Sequence, residues 1–309
     1  TLTRNEMTVQ RVVCAGHVFD VGGVGYAPVG DCSIDGRTID VARYPALAMA
    51  VRAGVLCNDA RLNEDTGVWS VVGDPTEGAL LGLGGKTGFT QEQGAQAWPR
   101  RDSIPFESQH RFMATLHQDG DGDAWIFAKG APERILDMCG SQLTHDGEKP
   151  LDVDHWRRMA TDTAAQGLRL LALACKRADA GKAQLDMADM EHGFMLLALV
   201  GIIDPPREEA MQAVRECHHA GIRVKMITGD HAETARAIGA QLGIGAGKPA
   251  ITGAELALMD DAALRSVAME VDVFARASPE HKLRLVQALQ ENQQVVAMTG
   301  DGVNDAPAL

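Results

Sequence analysis

Residues 196–203 form an apolar run, Leu-Leu-Ala-Leu-Val-Gly-Ile-Ile, the shape of a strand buried on both faces. After it, short β-rich stretches alternate with amphipathic stretches of helical period. Residues 206–220 read as a helix with proline in its first turn, 223–227 as a strand and 232–242 as a helix. Residues 273–275 read as a strand, 279–289 as a helix capped by Ser278, and 295–298, Val-Val-Ala-Met, as a closing strand. Strict alternation of this kind predicts a parallel sheet with helices on both faces.

Before residue 196 the pattern is different. Residues 17–29 have the shape of a hairpin, 67–72 and 75–83 read as strand, turn and helix, and 125–128 with 132–138 repeat that order. Asp154 is placed to cap a helix running to Gln166 with Trp156, Met159 and Ala160 inward, and 168–175 reads as a buried strand. Residues 177–193 are polar and predict a long surface connection. This half is α+β.

Composition adds bounds. A chain of 309 residues predicts two domains. Its 42 acidic against 29 basic side chains give a net charge of −13, a field that repels polyanions, so nucleic acid is not an expected partner. The six cysteines are scattered without a Cys-x-x-Cys pair, which predicts packed, reduced thiols rather than a zinc site. No apolar run approaches the ~20 residues that span a bilayer.

Three polar clusters follow apolar strands: Asp204-Pro205-Pro206-Arg207, Thr228-Gly229-Asp230 and Gly300-Asp301-Gly302-Val303-Asn304-Asp305. In an open α/β sheet, groups at the carboxyl ends of strands share one crevice. Carboxylate and amide oxygens there suit magnesium, and the helix start after Thr228-Gly229 turns backbone N–H groups toward an anion. Lys282 would add a counter-charge for phosphate. Singly, a Thr-Gly-Asp is a turn and a lysine a solvated charge; their succession on consecutive strands points to a Mg-dependent phosphoryl site. Gly84-Gly85-Lys86-Thr87 imitates a phosphate-binding loop, but Leu80 stands where that loop needs glycine.

The chain resembles the P-type ATPases. Residues 300–307, Gly-Asp-Gly-Val-Asn-Asp-Ala-Pro, match the family's hinge motif, Met226-Ile227-Thr228-Gly229-Asp230 and Asp204-Pro205-Pro206-Arg207 match two more of its signatures, and Thr1-Leu2-Thr3 is similar to the end of its phosphorylation motif. Asp74-Pro75-Thr76-Glu77, Ile104-Pro105-Phe106-Glu107-Ser108, Lys129-Gly130-Ala131-Pro132-Glu133 and Gly167-Leu168-Arg169 resemble markers of its nucleotide-binding domain.

The resemblance implies an α/β haloacid dehalogenase-like parallel-sheet phosphorylation domain lacking its first strand, with an inserted α+β antiparallel-sheet nucleotide-binding domain. The expected boundaries are 1–8 and 200–309 for the former and 9–199 for the latter. It implies ATP and Mg2+ as cofactors, Asp301 and Asp305 as metal ligands, and Thr228, Gly229, Asp230, Lys282, Asp301, Asn304 and Asp305 at the phosphoryl site. Phe106 would stack on adenine and Glu77 accept from its amino group. Lys129 and Gly130 would form the pocket floor, with Ser108, Arg111, Arg169, Asp204 and Arg207 completing the nucleotide contacts.

Partners implied are transmembrane and actuator domains of the same polypeptide, and the acceptor aspartate is expected four positions before Thr1. Nucleotide binding without turnover is then the expectation for this stretch, on the cytoplasmic face of a membrane pump closest to the type II class. Without its first strand, the parallel-sheet half is expected to be rearranged, partly mobile or strand-swapped in a homodimer. A soluble haloacid dehalogenase-type phosphatase and a non-catalytic nucleotide-binding module remain as alternatives.

Overall fold

The computed structural model describes residues 2–4, 6–245 and 247–299. The chain divides into two units, one of Glu6–Ala164 with Leu168–Asp204, the other of 205–299 with 2–4 and Ala165–Gly167. Thr1, Gly300, Asp301, Asn304 and Asp305, which belong to the motifs named above, lie outside the described residues.

The first unit is built on an eleven-stranded sheet. From one edge its strands are Arg37–Thr38, Cys32–Ile34, His17–Val21, Thr8–Cys14, Phe194–Ile203, Arg169–Ala178, Ala124–Gly130, Phe112–Gln118 and Arg100–Glu107, and neighbours along this path run antiparallel. Cys139–Thr144 joins the start of Phe194–Ile203 in parallel and carries Gly147–Pro150 beyond it. Lys129, Met113 and Leu173 are direct cross-strand partners and so share one face. That face is covered by the helices Pro45–Leu56 and Pro75–Lys86, whose Leu47, Val51 and Leu80 pack with Met113, Phe127 and Leu173. On the opposite face Phe112, Ala128 and Ala174 pack under the helices Pro132–Met138 and Val153–Ala164 through Ile135, Met138 and Trp156.

Several local expectations meet their elements closely. Pro132–Met138 is helical, and Asp74 caps Pro75–Lys86 by accepting from the N–H groups of Thr76 and Glu77 at 2.8 and 3.3 Å. Others are corrected. The first hairpin joins Thr8–Cys14 to His17–Val21, whereas 22–31 is a loop. Asp154 lies inside the first turn of its helix, and the carboxylate that accepts there, from the His155 N–H at 2.9 Å, is Asp152.

The largest correction concerns Phe194–Ile203. Read as the opening strand of the parallel sheet, it is the central strand of the antiparallel one, between Thr8–Cys14 and Arg169–Ala178. A continuous apolar run reports burial on both faces and is silent about the direction of its neighbours.

Among the described residues the second unit holds a three-stranded parallel sheet in the order Met226–Ile227, Val273–Ala275, Ile251–Thr252. Helices Glu208–His219, Ala232–Leu242, Gly253–Leu258, Asp261–Glu270 and Pro279–Glu291 accompany it. Ser278 caps the last through the His281 N–H at 3.3 Å, as its sequence predicts. Residues 295–298 form no strand, and Val295 is fully exposed at 103%. Their β-branched pattern lacks a paired neighbour among the described residues, without which a strand cannot satisfy its backbone.

Candidate functional site

The site in the first unit begins at a helix start. With Asp74 as cap and Pro75 in the first turn, Glu77 falls on the third helical position, where a carboxylate ordinarily turns back to the cap. Here it turns to the sheet instead: Oε1 accepts from Lys129 Nζ at 2.5 Å and Oε2 from the Asp59 N–H at 3.1 Å. Lys129 Nζ also donates to the Cys57 carbonyl oxygen at 2.5 Å. The lysine side chain is 6% exposed and the glutamate 13%, so the pair is withdrawn from water and each charge depends on its partner.

Gly130 follows Lys129 for a steric reason. A Cβ there would lie 2.4 Å from the Arg111 carbonyl oxygen and 2.8 Å from Phe112 Cα, closer than any side chain tolerates. Glycine lets the two strands close, and that closure seats Lys129 opposite Met113.

Phe106 reaches the same face through an irregularity. The register between Arg100–Glu107 and Phe112–Gln118 shifts between Ile104 and Glu107, so Pro105 and Phe106 together oppose Met113. Proline is tolerated because this is an edge strand. Phe106 remains 57% exposed, an uncovered aromatic on the sheet face that carries the buried ion pair. Arg169 opens its strand on the same face, four residues before Leu173 and so about 13 Å along it.

Ser108 and Arg111 lie in the turn after Phe106, both exposed. Arg111 Nη1 is held by Glu133 Oε1 at 2.6 Å, a surface pair that contributes little stability. Glu77, Phe106, Lys129 and Arg169 therefore sit on one surface of one unit, whereas Gly130, the cross-strand partner of Phe112, belongs to the strand's other face.

Asp204 and Arg207 are held by other partners. Asp204 Oδ1 accepts from the Glu6 N–H at 3.3 Å at the end of the antiparallel sheet, and Arg207 Nε donates to the Thr3 carbonyl oxygen at 2.7 Å in the second unit. Asp204 thus ends an antiparallel strand in the first unit and is not at the carboxyl end of a parallel neighbour of Met226–Ile227. This corrects the expectation of three clusters on successive parallel strands.

In the second unit Thr228-Gly229-Asp230 does lie at the carboxyl end of a parallel strand. Thr228 Oγ1 donates to Asp230 Oδ2 at 2.8 Å and accepts from the Asp230 N–H at 3.1 Å. The Thr228 N–H donates to the Phe274 carbonyl and the Ala277 N–H to that of Thr228, which ties this turn to the end of Val273–Ala275. The Pro279–Glu291 helix starts from that same end with half-buried Lys282 near its first turn. Among the described residues no group of three or more His, Cys, Asp or Glu is placed to hold a metal; the residues assigned to magnesium, Asp301 and Asp305, lie outside them.

Sequence reasoning missed Asn58, Asp59 and Arg100. Asn58 is buried and donates to the carbonyls of Gly54 and Glu77 at 3.2 and 3.0 Å. An asparagine and an aspartate just past a helix end read as turn residues, so no local signal marks them.

The fold and site define an α/β protein of two units, one an antiparallel sheet with a buried Lys–Glu pair on the same face as an exposed aromatic, the other with a parallel strand that ends in Thr-Gly-Asp. Residues 46–209 match the family model of the P-type ATPase cytoplasmic domain N, and residues 135–309 that of haloacid dehalogenase-like hydrolases. The chain belongs to the P-type ATPase family. Over its whole length it is 48% identical to the cation-transporting ATPase pma1 of Synechocystis sp., covering 35% of that protein. It is 40% identical to a calcium-transporting ATPase of Bacillus subtilis, covering 35%, and 38% identical to the calcium-transporting ATPase type 2C member 1 of Homo sapiens, covering 32%. The chain thus spans about a third of the length of these relatives. No described helix is long and apolar enough to cross a membrane.

Proposed function

We propose that this chain binds ATP on the first unit and, within a longer polypeptide, passes its γ-phosphate to an aspartate as part of a membrane cation pump. The observation that carries the reading is the buried Lys129–Glu77 pair lying on the same sheet face as exposed Phe106. A purine stacks on Phe106, Glu77 accepts from its amino group, and Arg111 and Arg169 neutralise phosphate oxygens with Ser108 and Gly130 at the rim. Thr228, Gly229, Asp230, Lys282 and Asn304 would hold the transferring oxygens, and Asp301 with Asp305 would bind Mg2+, which would supply neutralisation of their charge. The whole pump carries transmembrane and actuator domains, faces the cytoplasm at this region, and moves a cation, calcium being the one named for two of the relatives.

Calorimetric titration with ATP tests the nucleotide reading. Phe106→Ala weakens binding by about 1–3 kcal/mol, the worth of one aromatic–base stack; unchanged affinity in that variant would remove the stacking role. The outer edge of Met226–Ile227 and the 295–298 stretch, with Val295 exposed, suit an added strand, from a longer parent or a second copy. Sedimentation of the chain at micromolar concentration distinguishes the second-copy case.

A further inference from the structure

Between the end of the Pro45–Leu56 helix and the start of Arg61–Asp65, residues 57–60 cross the sheet face without regular structure. The polar atoms on one side of this turn serve the Lys129–Glu77 pair: the Cys57 carbonyl accepts from Lys129, and the Asp59 N–H donates to Glu77. The Ala60 carbonyl accepts from Gln91 at 2.9 Å, while three further acceptors at and before the turn converge on one side chain. Arg100 Nη1 donates to Asp59 Oδ1 at 2.6 Å, and Nη2 to the carbonyls of Leu56 and Asn58 at 3.1 and 2.5 Å.

The chemistry of that grip is specific to arginine. A helix end leaves carbonyls without intrahelical partners, and a cation there is favoured by the helix dipole. A planar guanidinium can span two carbonyls and a carboxylate at once, whereas an ammonium is a point charge on a flexible stem. Residues 56, 58 and 59 are gripped by Arg100, while 57 and 59 hold the ion pair. Displacing the turn therefore displaces both groups that align Lys129 and Glu77.

We propose that Arg100 is a positioning residue of the nucleotide pocket, acting through the 57–59 turn on the Lys129–Glu77 pair; this rests on the nucleotide reading above. Arg100 does not meet the base itself. It opens the strand that carries Phe106 six residues later, about 20 Å away at the rise of an extended chain. Asn58, tied independently to the carbonyls of Gly54 and Glu77, keeps the turn folded when Arg100 is replaced, so the loss is of alignment.

The test is a double-mutant cycle read by ATP titration of the full chain, with melting temperature as the check on folding. Arg100→Gln is expected to weaken ATP binding about tenfold, and Arg100→Lys nearly as much. With Glu77→Gln already present, adding Arg100→Gln is expected to cost less than twofold, because the aligned pair is gone. Independently of nucleotide, hydrogen exchange at the Asp59 amide is expected to quicken in Arg100→Gln. Wild-type affinity in Arg100→Gln, or an equal fold-loss in both backgrounds, overturns the proposal, since a general structural effect would be additive. If the chain without substitutions fails to bind ATP, the nucleotide reading falls, and Asp59 exchange still decides whether Arg100 holds the turn. Should Arg100→Gln not fold, Asp59→Ala, which keeps the backbone N–H to Glu77 but removes the carboxylate, is expected to weaken binding about threefold; no change there counts against the proposal.

Discussion

His117 shows how a single ring can set a pH limit on the first unit. It is buried, its Nδ1 lies 2.8 Å from the Trp98 carbonyl oxygen, and Arg100 is its cross-strand partner. Burial pushes its pKa down to about 4; the Trp98 carbonyl opposes this and the Arg100 charge adds to it. The unfolded chain, with an ordinary value of 6.5, takes up the proton first. The neutral ring's contribution is complete above pH 6.5 and is lost as pH falls toward 4, by about 3 kcal/mol in all. Urea melts between pH 7 and pH 4.5 should show this slope, and His117→Asn, which keeps a donor for Trp98, should flatten it. A variant as acid-sensitive as the parent would place the effect elsewhere. At the same scale, Glu77 and Lys129 stood out as motif residues, but their mutual salt bridge did not, because 52 positions of chain separate them.

Among elements, the Asp261–Glu270 helix ends in an arrangement its own sequence does not announce. Asp272, just beyond it, accepts from Arg223 at 2.6 Å, Lys225 at 3.0 Å and Lys248 at 3.2 Å. The same three cations donate to the carbonyls of Met269, Glu270 and Val271, which the helix end leaves open. Burial alone would raise the Asp272 carboxyl; hydrogen bonds from Arg223 and Lys225, with the lysine charges, outweigh it and hold the pKa at about 2. That stability is present above the ordinary 3.8 and is lost as pH falls toward 2. Asp272→Ala leaves three cations facing one another, and a cost of about 2–4 kcal/mol is expected, less than for a fully buried pair because Arg223 and Lys248 are half exposed. Denaturant unfolding of the second unit measures it, and an unchanged midpoint would show that the cations need no counter-charge.

For the whole molecule, the division into units makes an independent claim. The first unit contains both covering helical layers, the complete Phe106–Lys129–Glu77 surface and the Arg100 grip, all within residues 6–204. That stretch expressed alone should unfold in one cooperative transition and bind ATP with the affinity of the full chain. Loss of binding in a folded 6–204 would mean that the second unit supplies part of the pocket. The unit boundary was legible only approximately. The predicted division at residue 199 falls inside Phe194–Ile203, whose final residues still pair with Thr8–Cys14.

Helix caps, turns and buried runs were readable from the chain because each is settled by neighbours a few positions away: Asp74-Pro75 and Ser278-Pro279 start helices wherever they stand, and an apolar run of eight seeks burial. Pairing is a different matter. Which strands flank Phe194–Ile203, the register shift that turns Phe106 onto the Lys129 face, and the reach of Arg100 to a turn more than forty positions earlier all arise from contacts between distant segments. Their free energy exists only once the sheet has closed, so no local pattern could have carried it.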